Sequence, residues 1–309
     1  MDLEFKPISL SDQKIFQRFL AQCPQVTSDY SFVNVWSWAS AYDLTWAQTD
    51  EFIWLRQNRP SPQYWAPVGN WQAVDWVRYF DRFPQLGSTM IRVPEQLARL
   101  LESVFNERVS VSPDRDQFDY IYDANELVTL KGNRFHKKRN LLYQFQKKYD
   151  YQYIEMTHEF VDAAMALQNN WCTWRECGSD DQLANENMAI AKVLSNWERL
   201  DGIIGGCILV KDIMVAYTIG ERFIDDTLVV HFEKGSTDYK GVYQAVNQMF
   251  VEHEIPDLSA PPASGLGIRR EGILRVNREQ DLGDAGLRKS KESYHPIEFL
   301  KKYQVDFLQ

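Results

Sequence analysis

The sequence lacks the features that mark several common classes of protein. It has 309 residues but only four cysteines, at positions 23, 172, 177 and 207, and none of their spacings is that of a zinc or dithiol motif. Apolar runs long enough to cross a membrane are absent, and residues 1–6 lack the basic and then apolar pattern of a signal peptide. We therefore expect a cytoplasmic protein without a transmembrane segment, with no bound metal, and with reduced thiols in its core.

The signatures of several enzyme classes are also missing. The sequence has no G-x-S-x-G, P-loop or H-E-x-x-H pattern, which argues against a serine hydrolase, an NTPase and a zincin. Its net charge of −9 argues against a general coat for nucleic acid. The shares of hydrophobic residues, 44%, and charged residues, 25%, are ordinary for a soluble globular protein.

Acidic residues are absent from one segment, 131–148, of this otherwise acidic chain. The segment carries seven cations: Lys131, Arg134, Lys137, Lys138, Arg139, Lys147 and Lys148. Its apolar spacing predicts a helix over 135–149. The basic residues either form a solvated face beside a domain junction or face the phosphates of one anionic partner, through Lys137, Lys138 and Arg139. Most solvated helices mix both signs of charge, so the second interpretation stays open.

The length of the chain predicts two domains, 1–130 and 131–309, with the basic helix at their junction. Helices and strands alternate in the first part. From residue 151 onward the patterns predict strand 151–156, helices 159–175 and 183–200, strands 203–210, 213–221 and 227–233, helix 241–252, strand 273–278 and a last strand at 305–308. Residues 211–212 are short enough for a hairpin turn. Segment 255–272 is rich in Pro, Ala and Gly and is predicted to be a surface loop.

A lysine and a tyrosine follow the late strand at a spacing of three residues. Lys291 and Tyr294 would share one face of a helical turn, where they could hold an anionic group and protonate a leaving group. The alternative is a surface lysine beside a packed tyrosine. Asn277, Arg278 and Asp281 could line the same strand end, or could organise a turn through bonds from side chain to backbone.

Three motifs, in their order along the chain, resemble the C-terminal domain of the phosphatidylglycerol lysyltransferases. They are 130–132 followed by the basic residues 136–140, then 229–234 followed by Gly241, and finally Lys291 with Tyr294 and Pro296. In the second motif these lysyltransferases are expected to carry an Asp three residues before an Arg, where this chain has His231 and Lys234. The order of elements also resembles the GNAT acyltransferases and the Fem-type aminoacyltransferases. The resemblance implies an α/β (α+β) fold of two tandem GNAT-like domains with mixed, largely antiparallel sheets.

The resemblance also implies acyl or aminoacyl transfer from an activated donor, such as aminoacyl-tRNA, to an amine or hydroxyl acceptor. Lys291 would steady negative charge and Tyr294 would protonate the leaving hydroxyl. The expected donor-binding residues are Lys137, Lys138, Arg139, Lys240, Gly241 and Arg278, with support from His231, Lys234, Asn277 and Asp281. A tRNA or an anionic lipid headgroup is the expected partner. A histidine on a central strand, such as His231, is more often a satisfied core histidine.

Two other functions remain open. An acyl-CoA-dependent N-acetyltransferase would use the turn at Lys240-Gly241, because a GNAT pyrophosphate site lies at such a strand-to-helix turn. That site usually has two small residues, but here Gly241 is one glycine and Tyr243 stands where a small residue is wanted. A non-catalytic, degenerate GNAT pair would instead bind an anionic ligand or a protein. We expect no resident cofactor, and the donor, the acceptor and the oligomeric state are left open by the sequence.

Overall fold

The computed structural model describes residues 3–224, 226–255 and 273–308. These residues belong to two compact units. Unit 1 comprises Met1–Asp119, Gln280–Arg288 and Phe299–Gln309, and unit 2 comprises Tyr120–Glu279 and Lys289–Glu298. The predicted surface loop, 255–272, lies outside the described residues apart from Ile255.

The helices and strands are numbered along the chain. The α-helices are α1 (Gln13–Leu20), α2 (Phe32–Ser37), α3 (Ala39–Tyr42), α4 (Trp76–Arg82), α5 (Glu95–Phe105), α6 (Ala124–Thr129), α7 (His136–Lys148), α8 (Val161–Trp174), α9 (Asp181–Leu194), α10 (Val242–Glu254) and α11 (Ala285–Glu292). The strands are β1 (Lys6–Pro7), β2 (Thr45–Gln48), β3 (Phe52–Gln57), β4 (Gln63–Trp65), β5 (Val68–Gly69), β6 (Met90–Pro94), β7 (Val109–Pro113), β8 (Asp119–Asp123), β9 (Tyr151–Glu155), β10 (Ile203–Val210), β11 (Ile213–Arg222), β12 (Thr227–Gly235), β13 (Arg275–Asn277), β14 (Glu298–Leu300) and β15 (Lys302–Phe307).

The sheet of unit 1 contains the end of the chain. Its strands lie in the order β1-β2-β3-β4-β6-β15-β7, and β5 pairs with β3. The late strand β15 is antiparallel to both β6 and β7 and lies between them. The predicted domains, 1–130 and 131–309, have a single boundary along the chain. The observed units instead alternate along the chain, because the late strand β15 belongs to the sheet of unit 1.

The sheet of unit 2 has the order β14-β8-β13-β12-β11-β10-β9. Strands β10, β11 and β12 are consecutive and antiparallel, as predicted. The turn between β10 and β11 is Lys211-Asp212, and both residues have left-handed φ values, 51° and 63°, which suit a two-residue hairpin. The predicted α/β fold with mixed, largely antiparallel sheets is confirmed, with parallel pairs at β12–β13 and β4–β6 among antiparallel ones.

The helices of unit 2 cover both faces of this sheet. Successive side chains on a strand point to opposite faces. Glu233 on β12 accepts a hydrogen bond from Asn247 of α10, and the next residue, Lys234, forms an ion pair with Glu186 of α9. Helix α10 therefore lies on one face of the sheet and α9 on the other.

Strands β12 and β13 part before β12 ends. They are parallel, and their pairing joins Thr227–Val229 to Arg275–Asn277, whereas β12 continues to Gly235. The second half of β12 and the residues after β13 thus diverge. Side chains instead of backbone bonds connect the two segments there, which places polar groups at the strand end.

The expectation of four reduced cysteines is wrong for one pair. Cys172 and Cys177 form a disulfide, with Cα atoms 5.2 Å apart. Cys172 lies in the last turn of α8, and Glu176 in a left-handed conformation (φ 54°) reverses the chain so that Cys177 returns to it. The C-x4-C spacing therefore reflects a turn after a helix. Cys23 and Cys207 are free.

Candidate functional site

Polar side chains of unit 2 converge where β12 and β13 part. We call them the Tyr294 cluster: Lys138 of α7, Glu233 of β12, Gln244 and Asn247 of α10, Arg278 and Tyr294. A guanidinium nitrogen of Arg278 lies 3.2 Å from Glu233 Oε1. The amide of Asn247 donates to the other carboxylate oxygen of Glu233, also at 3.2 Å. Glu233 therefore fixes Arg278 and is itself held by α10.

Tyr294 lies at the centre of this cluster. Its side chain hydrogen-bonds to Gln244 and Arg278, and its residue is only 4% exposed. Burial raises the pKa of Tyr294 to about 12, although the charge of Arg278 acts in the opposite direction. The phenol therefore keeps its proton at neutral pH and can act as a donor.

Lys138 approaches the same tyrosine from α7. Its Nζ lies 4.0 Å from the centroid of the Tyr294 ring. Partial burial lowers the pKa of Lys138 to about 8, the positive charge of Arg278 lowers it further, and Glu233 opposes the shift. An amine with this pKa is substantially neutral near physiological pH, so it can accept a proton as well as attract an anion.

Lys291 is the other residue of the predicted pair, and it is buried beside the same strand end. Its Nζ donates to the carbonyl oxygen of Arg278 at 2.6 Å. The hydroxyl of Tyr122 donates to the carbonyl oxygen of Lys291 at 2.8 Å. Helix α11 ends just after Lys291, and the amide of Tyr294 donates to the Lys291 carbonyl in the turn that follows. The structure thus brings Lys291, Tyr294 and Arg278 together, with Lys291 holding the backbone that carries Arg278.

The basic helix distributes its predicted phosphate ligands in different directions. Lys138 joins the Tyr294 cluster, whereas Lys137 is exposed. Arg139 donates to the carbonyl oxygens of Leu130 and Gly132, so it closes the C-terminal end of α6. Successive helix residues are about 100° apart, which explains why three adjacent cations do not share one face.

Gly241 has a packing reason to be a glycine. It caps the N-terminus of α10 with φ 89°, and a Cβ there would overlap the carbonyl oxygen of Leu141 on α7. Lys240 precedes it on the surface. The close approach of α7 and the left-handed backbone both favour glycine at this position, whether or not a phosphate binds there.

The two predicted support residues on β12 lie in separate ionic groups. The imidazole of His231 is fully buried, with Nδ1 2.8 Å from Glu279 and Nε2 3.2 Å from Glu221. Burial alone would lower the pKa of His231, but the two carboxylates raise it to about 9, so the ring is charged at neutral pH. Lys234 pairs with Glu186 at 2.7 Å, and its Nζ lies 3.8 Å from the Trp171 ring centroid.

Asn277 and Asp281 organise turns, which was one of the two interpretations left open. The side chain of Asn277 accepts from the amide of Glu279 at 2.8 Å. In unit 1, the carboxylate of Asp281 accepts from the amide of Gly283 at 2.9 Å and pairs with Arg288 at 2.8 Å.

Sequence reasoning missed Glu233, Gln244 and Asn247. Gln244 and Asn247 are three residues apart on α10, where a helix places them on one face. The sequence signal for these two residues was their polar character at that spacing, beside the apolar positions of a predicted core helix.

In residues 3–224, 226–255 and 273–308, no helix is long and apolar enough to cross a membrane. Across the same ranges, no group of three or more His, Cys, Asp or Glu side chains is placed to hold a metal ion.

Comparisons with known proteins agree with the order of elements. A family model for the C-terminal domain of phosphatidylglycerol lysyltransferase matches residues 20–306. A conserved protein of unknown function from Bacteroides thetaiotaomicron has a crystal structure with a TM-score of 0.85 and 32% identity, covering 99% of this chain and 100% of that one. The structure of L-PGS from Bacillus licheniformis has a TM-score of 0.63 at 11% identity, covering 99% of this chain and 94% of that one.

A curated relative is longer than the matching region. An uncharacterised protein of Mycoplasmoides gallisepticum is 24% identical over 198 residues, which are 60% of this chain and 55% of that protein. The chain thus spans about half the length of this relative. The family match, by contrast, extends over both units, and the Bacteroides structure covers the chain almost completely. The chain therefore belongs to the family of the phosphatidylglycerol lysyltransferase C-terminal domain.

Proposed function

We propose that unit 2 transfers an acyl or aminoacyl group from an activated ester to an amine or hydroxyl acceptor. The observation that carries the proposal is the pair formed by Tyr294 and Lys138. A buried phenol that keeps its proton lies beside an amine that is partly neutral, with 4.0 Å between the amine nitrogen and the ring centroid. Membership of the lysyltransferase family supports the same class of reaction.

The chemistry needs one proton acceptor, one proton donor and a positive charge. The acceptor attacks the ester carbonyl, and its proton passes to the neutral amine of Lys138. The carbonyl oxygen gains negative charge in the tetrahedral intermediate, which the guanidinium of Arg278 stabilises. As the intermediate collapses, the C–O bond to the leaving group breaks and Tyr294 donates its proton to that oxygen. Lys291 acts through the backbone of Arg278 and is therefore a positioning residue in this scheme.

Aminoacyl-tRNA is the donor that we favour. Lys131, Lys147 and Lys148 are exposed cations on and beside α7, the helix that also supplies Lys138 to the cluster. A phosphate backbone held by these residues would lead its esterified end toward the same helix. Membership of the family of the phosphatidylglycerol lysyltransferase C-terminal domain makes an anionic lipid the acceptor to test first.

Donor binding can be tested without turnover. The triple variant Lys131→Glu, Lys147→Glu and Lys148→Glu should bind tRNA more weakly, and its affinity should fall less steeply with salt because phosphate contacts are lost. A single reversal at the exposed Lys211, in the β10–β11 turn, is the control. Failure of the wild-type protein to bind tRNA at low salt would contradict the donor assignment.

The transfer reaction is tested with a panel of donors and acceptors. Charged tRNAs and acyl-CoAs would be combined with anionic lipid vesicles and soluble amines, using wild type, Tyr294→Phe and Lys291→Met. We expect Tyr294→Phe to lose about 100-fold or more, which is typical for the loss of one proton donor in the transition state. Lys291→Met should lose activity through the displaced Arg278, because Lys291 only holds the backbone of that residue. Lys289→Met, an exposed neighbour on α11, should keep wild-type turnover. Turnover with acyl-CoA alone would favour the acetyltransferase, and no turnover with any pair would favour a binding protein.

A further inference from the structure

The disulfide lies at the corner between two helices that hold a buried lysine. Cys172 is in the last turn of α8, and Cys177 precedes α9, whose N-terminus is capped by Asp180. Cys172 directly follows Trp171, whose indole nitrogen donates to the Tyr243 hydroxyl at 3.1 Å. The cross-link therefore fixes the corner from which both helices approach the sheet.

The two helices meet at Lys234 on β12. Helix α8 supplies the ring of Trp171, 3.8 Å from the amine, and α9 supplies the carboxylate of Glu186, 2.7 Å from it. The Lys234 side chain is only 6% exposed, so its charge depends on these two contacts. Gln168 of α8 strengthens the arrangement, because it accepts from the Tyr217 hydroxyl of β11 at 2.7 Å and donates to Asn187 of α9 at 3.1 Å.

We propose that Cys172 and Cys177 form a reversible thiol–disulfide site that controls how tightly α8 and α9 enclose Lys234. This site lies on the face of the sheet that carries α9, whereas the Tyr294 cluster is held by α10 on the other face. Its redox chemistry uses no residue of the Tyr294 cluster, and the two sites are connected through α10 by the hydrogen bond from Trp171 to Tyr243. The accessible sulfur is Cys172, which is partly exposed, whereas Cys177 is buried.

The chemical step is an exchange with a dithiol reductant. One thiolate of the reductant attacks the Cys172 sulfur, forms a mixed disulfide and releases Cys177, which takes up a proton. The second thiolate of the reductant then attacks the reductant's other sulfur, which is bonded to Cys172 in the mixed disulfide, and releases Cys172, which also takes up a proton. Two electrons and two protons pass to the protein, and the reductant becomes a cyclic disulfide. The turn at 175–180 is then no longer cross-linked, and α8 and α9 can separate at this corner.

The other two cysteines should interfere little with thiol labelling of Cys172 and Cys177. Burial raises the pKa of Cys23 to about 12 and that of Cys207 to about 11, so both thiols stay protonated and react slowly near neutral pH. Alkylation by N-ethylmaleimide should therefore report mainly on Cys172 and Cys177.

The experiment compares the full chain before and after treatment with dithiothreitol. Peptide mass spectrometry would quantify maleimide on Cys172 and Cys177, and acetylation of the Lys234 amine by a succinimidyl ester. We expect both cysteines to react only after reduction, and the Lys234 amine to react about tenfold faster or more, because local opening governs access to a buried group. The exposed Lys211 should react equally in both states.

The double variant Cys172→Ser/Cys177→Ser is the matched control. It should acetylate Lys234 at the rate of the reduced wild type and should not respond to dithiothreitol. Two observations on the wild type alone would overturn the proposal, so it does not depend on the folding of the variant. They are free thiols at 172 and 177 in protein handled in air, and a Lys234 rate that reduction leaves unchanged.

Discussion

Replacing Lys138 by arginine separates two roles that a lysine in this cluster can have. Arginine keeps the positive charge and can hold an anion, but its guanidinium cannot lose its proton near neutral pH. If Lys138 only attracts a phosphate, Lys138→Arg should preserve activity. If its neutral amine accepts the proton of the acceptor, Lys138→Arg should be as damaging as Lys138→Gln.

The magnitude follows from the burial of Lys138. With a pKa of about 8, roughly a quarter of the amine is neutral at pH 7.5, against about 0.1% for a lysine at the ordinary value of 10.5. The environment therefore enriches the neutral form about 200-fold. Loss of a general base typically costs about 10²- to 10⁴-fold in rate, so we expect both variants to fall by about 100-fold or more.

The assay measures initial rates of aminoacyl transfer between pH 6.5 and 9 for wild type, Lys138→Arg, Lys138→Gln and Lys137→Arg. The wild-type rate should rise with pH and level off above about 8, because the base works in its neutral form. Lys137→Arg, a change at the exposed neighbour, should follow the wild-type profile. Full activity in Lys138→Arg together with its loss in Lys138→Gln would refute the proton-acceptor role.

A direct titration checks the premise without any turnover. The rate of acetylation of the Lys138 amine, followed by peptide mass spectrometry against pH, should show a midpoint near 8. Glu233→Gln should move the midpoint lower, since the carboxylate favours the charged amine. A wild-type midpoint near 10.5 would show that burial does not perturb this lysine.

Three further predictions concern stability. His231→Gln should lower the free energy of unfolding by about 3 kcal/mol near pH 6. This loss should become smaller as pH rises from 6.5 through about 9, because the folded wild-type protein loses its charged imidazole over that range. Urea unfolding measures the difference between the two proteins, and a difference that is constant with pH would contradict the argument. Lys302→Met should lower the free energy of unfolding by about 3–5 kcal/mol in the same assay, because it removes the buried cation that neutralises Asp119 and, together with Arg92, Asp29. The exposed Lys301→Met should be nearly neutral, and equal losses would refute the argument. Gly241→Ala should lower the melting temperature more than Gly202→Ala. Both glycines have a positive φ, but a Cβ added at Gly202 would have no heavy atom within 4 Å. Equal shifts in melting temperature would show that the contact between Gly241 and α7 is unimportant.

Local patterns were enough to predict the centre of unit 2. Strands β10 and β11 show apolar runs separated by two residues, and such spacing specifies an antiparallel hairpin through the turn alone. The position of β15 could not be predicted in this way. Its pairing with β6 and β7 joins residues about two hundred positions apart, and strand patterns do not encode their distant partners.

The candidate site shows the same division between local and distant information. Lys291, Tyr294 and Arg278 were found because they lie close together in sequence at the end of one strand. Glu233, which fixes Arg278, comes from β12, and sequence spacing gives no sign of that contact. The imidazole of His231 is buried, and the carboxylates that keep it charged come from a neighbouring strand and from beyond β13, where the sequence gives no sign of them.

The basic helix shows why charge alone is a poor guide to chemistry. Its lack of acids indicates a positive surface, and that is what the exposed Lys137 provides. One position further along the helix, Lys138 turns toward a buried aromatic ring, and the loss of water there shifts its pKa toward neutrality. Adjacent lysines of the same formal charge thus become a solvated cation and a candidate base. The difference arises from the direction of each side chain, which depends on what α7 packs against and cannot be obtained from the sign of the charges.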